Sequence, residues 1–154
     1  RDLRMSRGLG DVYKRQCNIL GRHSKLFLTL AHVKCNLWYL MKIQRIQELT
    51  DASIVCGSEK RENDVQCAFA SDLMSDVLTL DCGDVLLVTG LCNLQTIRTA
   101  EMAEVSYILF VRGKKVTPDM LELARENNMV LLETDHSMYH TVGELYSAGL
   151  LPIY

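Results

Sequence analysis

Val85-Leu86-Leu87-Val88-Thr89-Gly90-Leu91-Cys92-Asn93-Leu94-Gln95-Thr96-Ile97 decides the fold. Its first four residues are an unbroken apolar run, the pattern of a strand buried on both faces. Gly90 and Asn93 mark a turn. From Leu94 the apolar residues shift to helical spacing, with Leu94, Ile97 and then Ala100/Met102 supplying one face. The same alternation continues downstream. Tyr107–Val111 reads as a second buried strand, ended by Arg112-Gly113-Lys114-Lys115. Thr117 is a candidate N-cap and Pro118 suits the first helical position, where its missing N–H costs nothing. Asp119 to Asn128 then reads as a helix, Met129–Glu133 as a third strand, and Ser137–Ser147 as the last helix. That helix places Met138, Val142, Leu145 and Tyr146 on one face. Gly149 is a candidate C-cap, and Pro152 blocks continuation.

Upstream, Met41–Leu49 carries Ile43 and Ile46 at helical spacing. Ser53–Cys56 reads as a strand ended by Gly57, 58–64 as a charged loop, Val65–Ala70 as another strand, and Asp72–Leu78 as a short helix. Strands alternating with helices predict a small single α/β domain, with a parallel or mostly parallel sheet and helices packed on it. Ligands in such sheets sit beyond the carboxyl ends of the strands. Attention falls on Thr89–Asn93, Arg112–Lys115 and Thr134–His136.

The whole chain has 154 residues and a net charge of −2, with 48% apolar and 23% charged residues, a globular composition for one domain. The charge is unevenly placed. Residues 1–40 hold eight basic and two acidic residues, net +6; residues 41–154 hold nine basic and 17 acidic, net −8. The basic segment has no helical or strand period, and Gly8–Gln16 looks like a translated sequencing-adaptor scar. Residues 1–40 are therefore expected to be a non-native or disordered N-terminal extension, with the domain occupying 41–154. Leu26–Ala31 is too short to span a membrane, and Lys34 breaks any apolar continuation. An acidic body argues against generic nucleic-acid binding. Neither a membrane nor a nucleic acid is an expected partner. Cys56, Cys67, Cys82 and Cys92 form no C-x-x-C pair, and Cys56 and Cys67 lie in apolar runs, which suits a reduced cytoplasm.

The body resembles the DRTGG domain family over nearly all of residues 41–154. The matching stretches are Ser71–Leu78, Val85–Ala100, Val111-Arg112-Gly113 and Leu145–Leu150. Thr89-Gly90 matches the Thr-Gly of the signature, whereas Leu91 replaces its second glycine. The family is similar to the N-terminal region of HPr kinase. It also occurs as a regulatory insert in phosphate acetyltransferases and in some CBS-containing pyrophosphatases. Small stand-alone versions occur in anaerobic bacteria, some beside iron-hydrogenase genes. The resemblance implies a regulatory or dimerising module and not a known catalyst.

Thr89, Gly90 and Asn93 are the first candidate ligand-binding residues, because a strand-to-helix turn presents backbone N–H groups and a positive helix end to an anion. Arg112 is a candidate partner from the neighbouring strand end. The plain alternative is that Gly90 permits the turn and Asn93 caps the helix. No G-x-x-x-x-G-K-[ST] or G-x-G-x-x-G motif is present. Asp72 and Asp76 could act as paired acids, but a cap at Ser71 or Asp72 accounts for much of that segment. Cys92 near a helix start is a candidate nucleophile that lacks a nearby base in sequence. His136 and His140 are spaced as two metal ligands, yet the H-E-x-x-H glutamate is absent and Asp135 reads as a cap. Neither a metal nor a cofactor is expected. The resemblance, taken with the strand-end turn, implies a non-catalytic regulatory or ligand-sensing domain, homo-oligomeric, with a small anionic metabolite or nucleotide as the candidate ligand at the strand ends. The alternatives are a protein-interaction accessory subunit, for example of a redox or hydrogenase system, and a small enzyme using Cys92 or Asp72/Asp76.

Overall fold

A computed structural model describes residues 40–80 and 84–154. The readings of residues 1–39 and of Cys82 lie outside the described residues. The elements are β1 (Met41–Lys42), α1 (Ile43–Leu49), β2 (Ser53–Cys56), a 3-10 turn (Ser58–Lys60), β3 (Asp64–Val65), β4 (Cys67–Ala70), α2 (Met74–Val77), β5 (Val85–Thr89), α3 (Leu94–Met102), β6 (Tyr107–Phe110), α4 (Pro118–Glu126), β7 (Val130–Glu133) and α5 (Met138–Ser147). Five strands form one sheet in the order β2-β7-β6-β5-β4. Strands β4 to β7 are mutually parallel, and β2 joins the β7 edge antiparallel. The expected mostly parallel α/β sheet is what forms.

The continuous apolar runs explain the layering. Successive side chains of a strand point to opposite faces, so a strand apolar throughout must be covered twice. Leu86, Val88, Leu109 and Leu132 pack with Ile43 and Ile46 of α1 and Leu145 of α5. Leu87, Ile108, Phe110 and Leu131 pack on the other face with Ile97 and Ala100 of α3 and Met120 and Ala124 of α4. The sheet is thus the middle layer between two helical layers.

Several local expectations shift. The strand read over Val65–Ala70 is two strands: β3 pairs antiparallel with β1, whereas β4 pairs in parallel with β5. The break falls at Gln66, whose N–H donates to the Asp84 carbonyl. In α3 Ala100 is buried but Met102 is 73% exposed. In α5 the inward row is Met138, Thr141 and Leu145, while Val142 and Tyr146 are 36% and 60% exposed. The three- and four-residue steps of that row follow the helix period as well as the expected set does, and Thr141 is buried although polar. Pro118 does open α4, but Thr117 makes no side-chain cap. Gly149 follows α5 at φ 101°, as a helix-terminating glycine should.

Candidate functional site

Because β4, β5, β6 and β7 are parallel, the loops at their carboxyl ends gather on one side of the sheet. These loops bring together Asp72, Thr89, Gly90, Arg112 and His136.

Asp72 sits at the centre. Its Oδ1 accepts hydrogen bonds from the Gly90 N–H at 2.7 Å and the Thr89 hydroxyl at 2.9 Å. Its Oδ2 accepts from Arg112 Nη2 at 2.6 Å. Burial raises the pKa of this carboxyl, but the Gly90 N–H, the Thr89 hydroxyl and the Arg112 charge together outweigh it and hold Asp72 below the ordinary aspartate range. Asp72 is therefore neither a helix cap nor one of a pair of acids on a helix. The N-cap of α2 is Leu73, without a side-chain bond, and Asp72 precedes the helix. Ser71 forms the local turn instead, its Oγ accepting the Leu73 N–H at 3.0 Å.

Arg112 reaches Asp72 from an uncommon backbone conformation. Arg112 and Gly113 both have left-handed φ, 64° and 63°. A non-glycine residue adopts that region only where its surroundings fix it. Here the Arg112 N–H donates to the His136 carbonyl at 2.8 Å and the Gly113 N–H to the Thr134 carbonyl at 3.0 Å. The loop after β6 is thus bonded to the loop after β7. Gly90 matters for a related reason: a Cβ there would lie 1.7 Å from Arg112 Nη2. The guanidinium occupies the space that any other side chain at position 90 would need.

Of the four residues expected to bind a ligand, Thr89, Gly90 and Arg112 converge on one carboxylate. Asn93 does not join them. Its Oδ1 accepts the Thr96 N–H at 2.9 Å and so caps α3. The anion-binding features of the turn hold an anionic side chain of the chain itself.

The adjacent basic residue is also paired. Lys115 donates to Glu133 Oε2 at 3.0 Å, and the Val116 N–H donates to Glu133 Oε1 at 2.6 Å. Glu133 is only 8% exposed, so the carboxylate anchors the loop that carries Arg112. Cys92 has its thiol pushed up by burial, and its Sγ donates to the Lys115 carbonyl at 3.3 Å. That is the reverse of an activated thiolate.

His136, His140 and Glu144 form a second cluster beside the first. Ser137, not Asp135, caps α5, its Oγ accepting the His140 N–H at 3.3 Å. His140 Nε2 lies 3.0 Å from Glu144 Oε1, and His136 Nδ1 lies 3.4 Å from Glu144 Oε2. The glutamate that is absent next to His136 stands instead one helical turn beyond His140. His140 and Glu144 are four apart on one face of α5, and His136, just before the Ser137 cap, is brought to the same side by the turn that leads into the helix. Asp72 is not recognisable as the hub from sequence, because its partners lie 17, 18 and 40 residues away. Its place just after a strand, beside the ends of parallel strands, is the signal that points to it.

Elsewhere, a cleft of about 430 Å³ lined by Cys56, Gly57, Ser58, Glu59 and Arg125 lies at the opposite end of the sheet. Among the described residues no helix is long and apolar enough to cross a membrane.

No family model matches the sequence, and no curated protein matches it. The fold is similar to a solved structure of the CBS and DRTGG domains of the regulatory region of Clostridium perfringens pyrophosphatase, complexed with the activator diadenosine tetraphosphate. The TM-score is 0.58 and the sequence identity 12%; the match covers 92% of this chain and 57% of that one. At that identity the likeness is one of fold: this chain shares the architecture of part of a CBS and DRTGG regulatory region.

Proposed function

We propose that this chain is a non-catalytic regulatory domain of the DRTGG type, and that it senses a small anionic metabolite or nucleotide at the carboxyl ends of β5 and β6. The observation that carries this reading is the Asp72 carboxylate, held by the Thr89 hydroxyl, the Gly90 N–H and the Arg112 guanidinium. Three donors converging on one carboxylate are the donor set a phosphate or free carboxylate would use. Asp72 is then the resting occupant. An anionic ligand takes its donors, releases the Ser71–Leu73 loop and repositions α2. Asp72 and Arg112 are 43% and 48% exposed, so a ligand reaches them without opening the core. The regulatory, nucleotide-activated neighbour supports the same class of function. The raised thiol of Cys92 and the engagement of Asp72 favour a sensor over an enzyme.

Dimerisation is part of this proposal. Val142 and Tyr146 are exposed beside a shallow apolar groove lined also by Ala68, Ala70, Leu145 and Pro152. That groove lies between β4, α5 and the C-terminal segment that pairs with Ala68 through Pro152. A self-contact there would couple ligand exchange to subunit arrangement. The proposed setting is the cytoplasm.

The test is a thermal-shift series on the full chain with inorganic phosphate, pyrophosphate and nucleotides. At least one should raise Tm in the wild type, and the rise should vanish in Arg112→Ala. A rise that survives Arg112→Ala places the ligand elsewhere.

A further inference from the structure

We propose that His136, His140 and Glu144 bind one divalent transition-metal ion of the zinc type. Among the described residues these three form a group whose ligand atoms, one from each, all lie within 4.8 Å of one another. Zinc bonds of about 2.0–2.2 Å in a tetrahedron set neighbouring ligand atoms roughly 3.3–3.5 Å apart. His136 Nδ1 and Glu144 Oε2, 3.4 Å apart, match that spacing, and His140 Nε2 lies 3.0 Å from the other oxygen of the same carboxylate, Oε1. The imidazole rings lie 4.4 Å apart by centroid, close enough to share an ion after small side-chain rotations.

Imidazole–carboxylate pairing alone leaves two buried atoms unexplained. His136 Nδ1 and Glu144 Oε2 are both shielded from solvent and have no hydrogen-bond partner, although they lie 3.4 Å apart. Buried polar atoms are normally satisfied. A cation between them satisfies both at once. Two imidazoles with one carboxylate suit zinc, cobalt, nickel or copper; calcium and magnesium prefer oxygen-only sites. Three protein ligands leave a fourth position open. His140 is half exposed and makes the solvent side of the cluster.

The site is locally prebuilt. The Ser137 cap fixes the start of α5 and thereby the step from His136 to His140. The His136 carbonyl accepts the Arg112 N–H, so ligation at His136 also holds the backbone from which Arg112 reaches Asp72. The inference does not depend on the anion-sensing proposal, because it uses none of its side chains.

The experiment is a titration of the chelator-stripped full chain with Co²⁺ and then Zn²⁺, read by visible absorption and Tm. One Co²⁺ per chain should bind with the ligand-field bands of four- or five-coordinate cobalt, without a thiolate charge-transfer band, and Zn²⁺ should displace it. Affinity should fall by at least about tenfold in both His140→Ala and Glu144→Gln, as loss of a ligand demands. It should be unchanged in Cys92→Ser. Circular dichroism checks that each variant is folded, and His140→Gln replaces an alanine variant that is not. No stoichiometric binding, a thiolate band, or affinity unaltered in the folded His140 and Glu144 variants each overturns the assignment.

Discussion

Arg112 lies over Gly90 so closely that a Cβ on Gly90 would sit 1.7 Å from Nη2. The contact explains why a glycine stands at the end of β5, and it also fixes what replacing that glycine would do. The colliding atoms belong to the end of a flexible side chain, so the backbone need not move. Gly90→Ala should therefore push the guanidinium away from Asp72 at a cost of at most about 1 kcal/mol, the range of a half-exposed ion pair. In an Arg112→Ala background the same substitution should cost almost nothing. A double-mutant cycle by urea unfolding measures this non-additivity. Equal costs in both backgrounds would show that Gly90 is required for another reason.

The Asp72 carboxyl predicts an acid-side effect of known sign. Its folded pKa is depressed, so it contributes stability that is present above the ordinary aspartate value, about 4, and lost as pH falls through the lower folded value. Asp72→Asn should remove that part of the loss, and its unfolding free energy should converge on the wild type as the solution is acidified. The comparison is made by denaturant unfolding from neutral pH downward. Parallel curves over the whole range would contradict the assignment.

Glu133 should matter more for its backbone bond than for its ion pair. Lys115 is mostly exposed, and such pairs contribute little. The Val116 N–H, by contrast, loses its acceptor if Glu133 is replaced by leucine. Glu133→Leu should cost about 1–3 kcal/mol, Glu133→Gln less, and Lys115→Met less than about 1 kcal/mol. A Lys115 cost as large as that of Glu133→Leu, in thermal or urea unfolding, would reverse this order.

The layers of the fold are legible in the sequence because their signal is local. The apolar run Val85–Val88, bounded by turn residues, suits a strand covered on both sides, and Pro118 directly after Thr117 suits the first turn of a helix. The split of Val65–Ala70 is not legible, since nothing in the residues records that β3 and β4 have different partners. The site divides in the same way. Thr89, Gly90 and Arg112 stand out from their places at strand ends, and the Asn93 cap is among the readings of its segment. What occupies the donors is hidden, because the Asp72–Arg112 pair spans 40 residues and depends on two consecutive left-handed residues. The His140–Glu144 relation is visible as a four-residue helical step, but the H-E-x-x-H motif puts its glutamate elsewhere and His136 joins from before the helix.

The central claim is that Asp72 occupies the donors a small anion would take. Isothermal titration of inorganic phosphate into wild type, Asp72→Ala and the Asp72→Ala/Arg112→Ala double variant tests it most directly. Removing Asp72 takes away both a competitor and a like charge. Phosphate should bind the single variant at least about tenfold more tightly than wild type, a difference of about 1.4 kcal/mol, and the double variant should lose that gain. Equal phosphate affinity in wild type and Asp72→Ala, or a gain that persists without Arg112, would contradict the account.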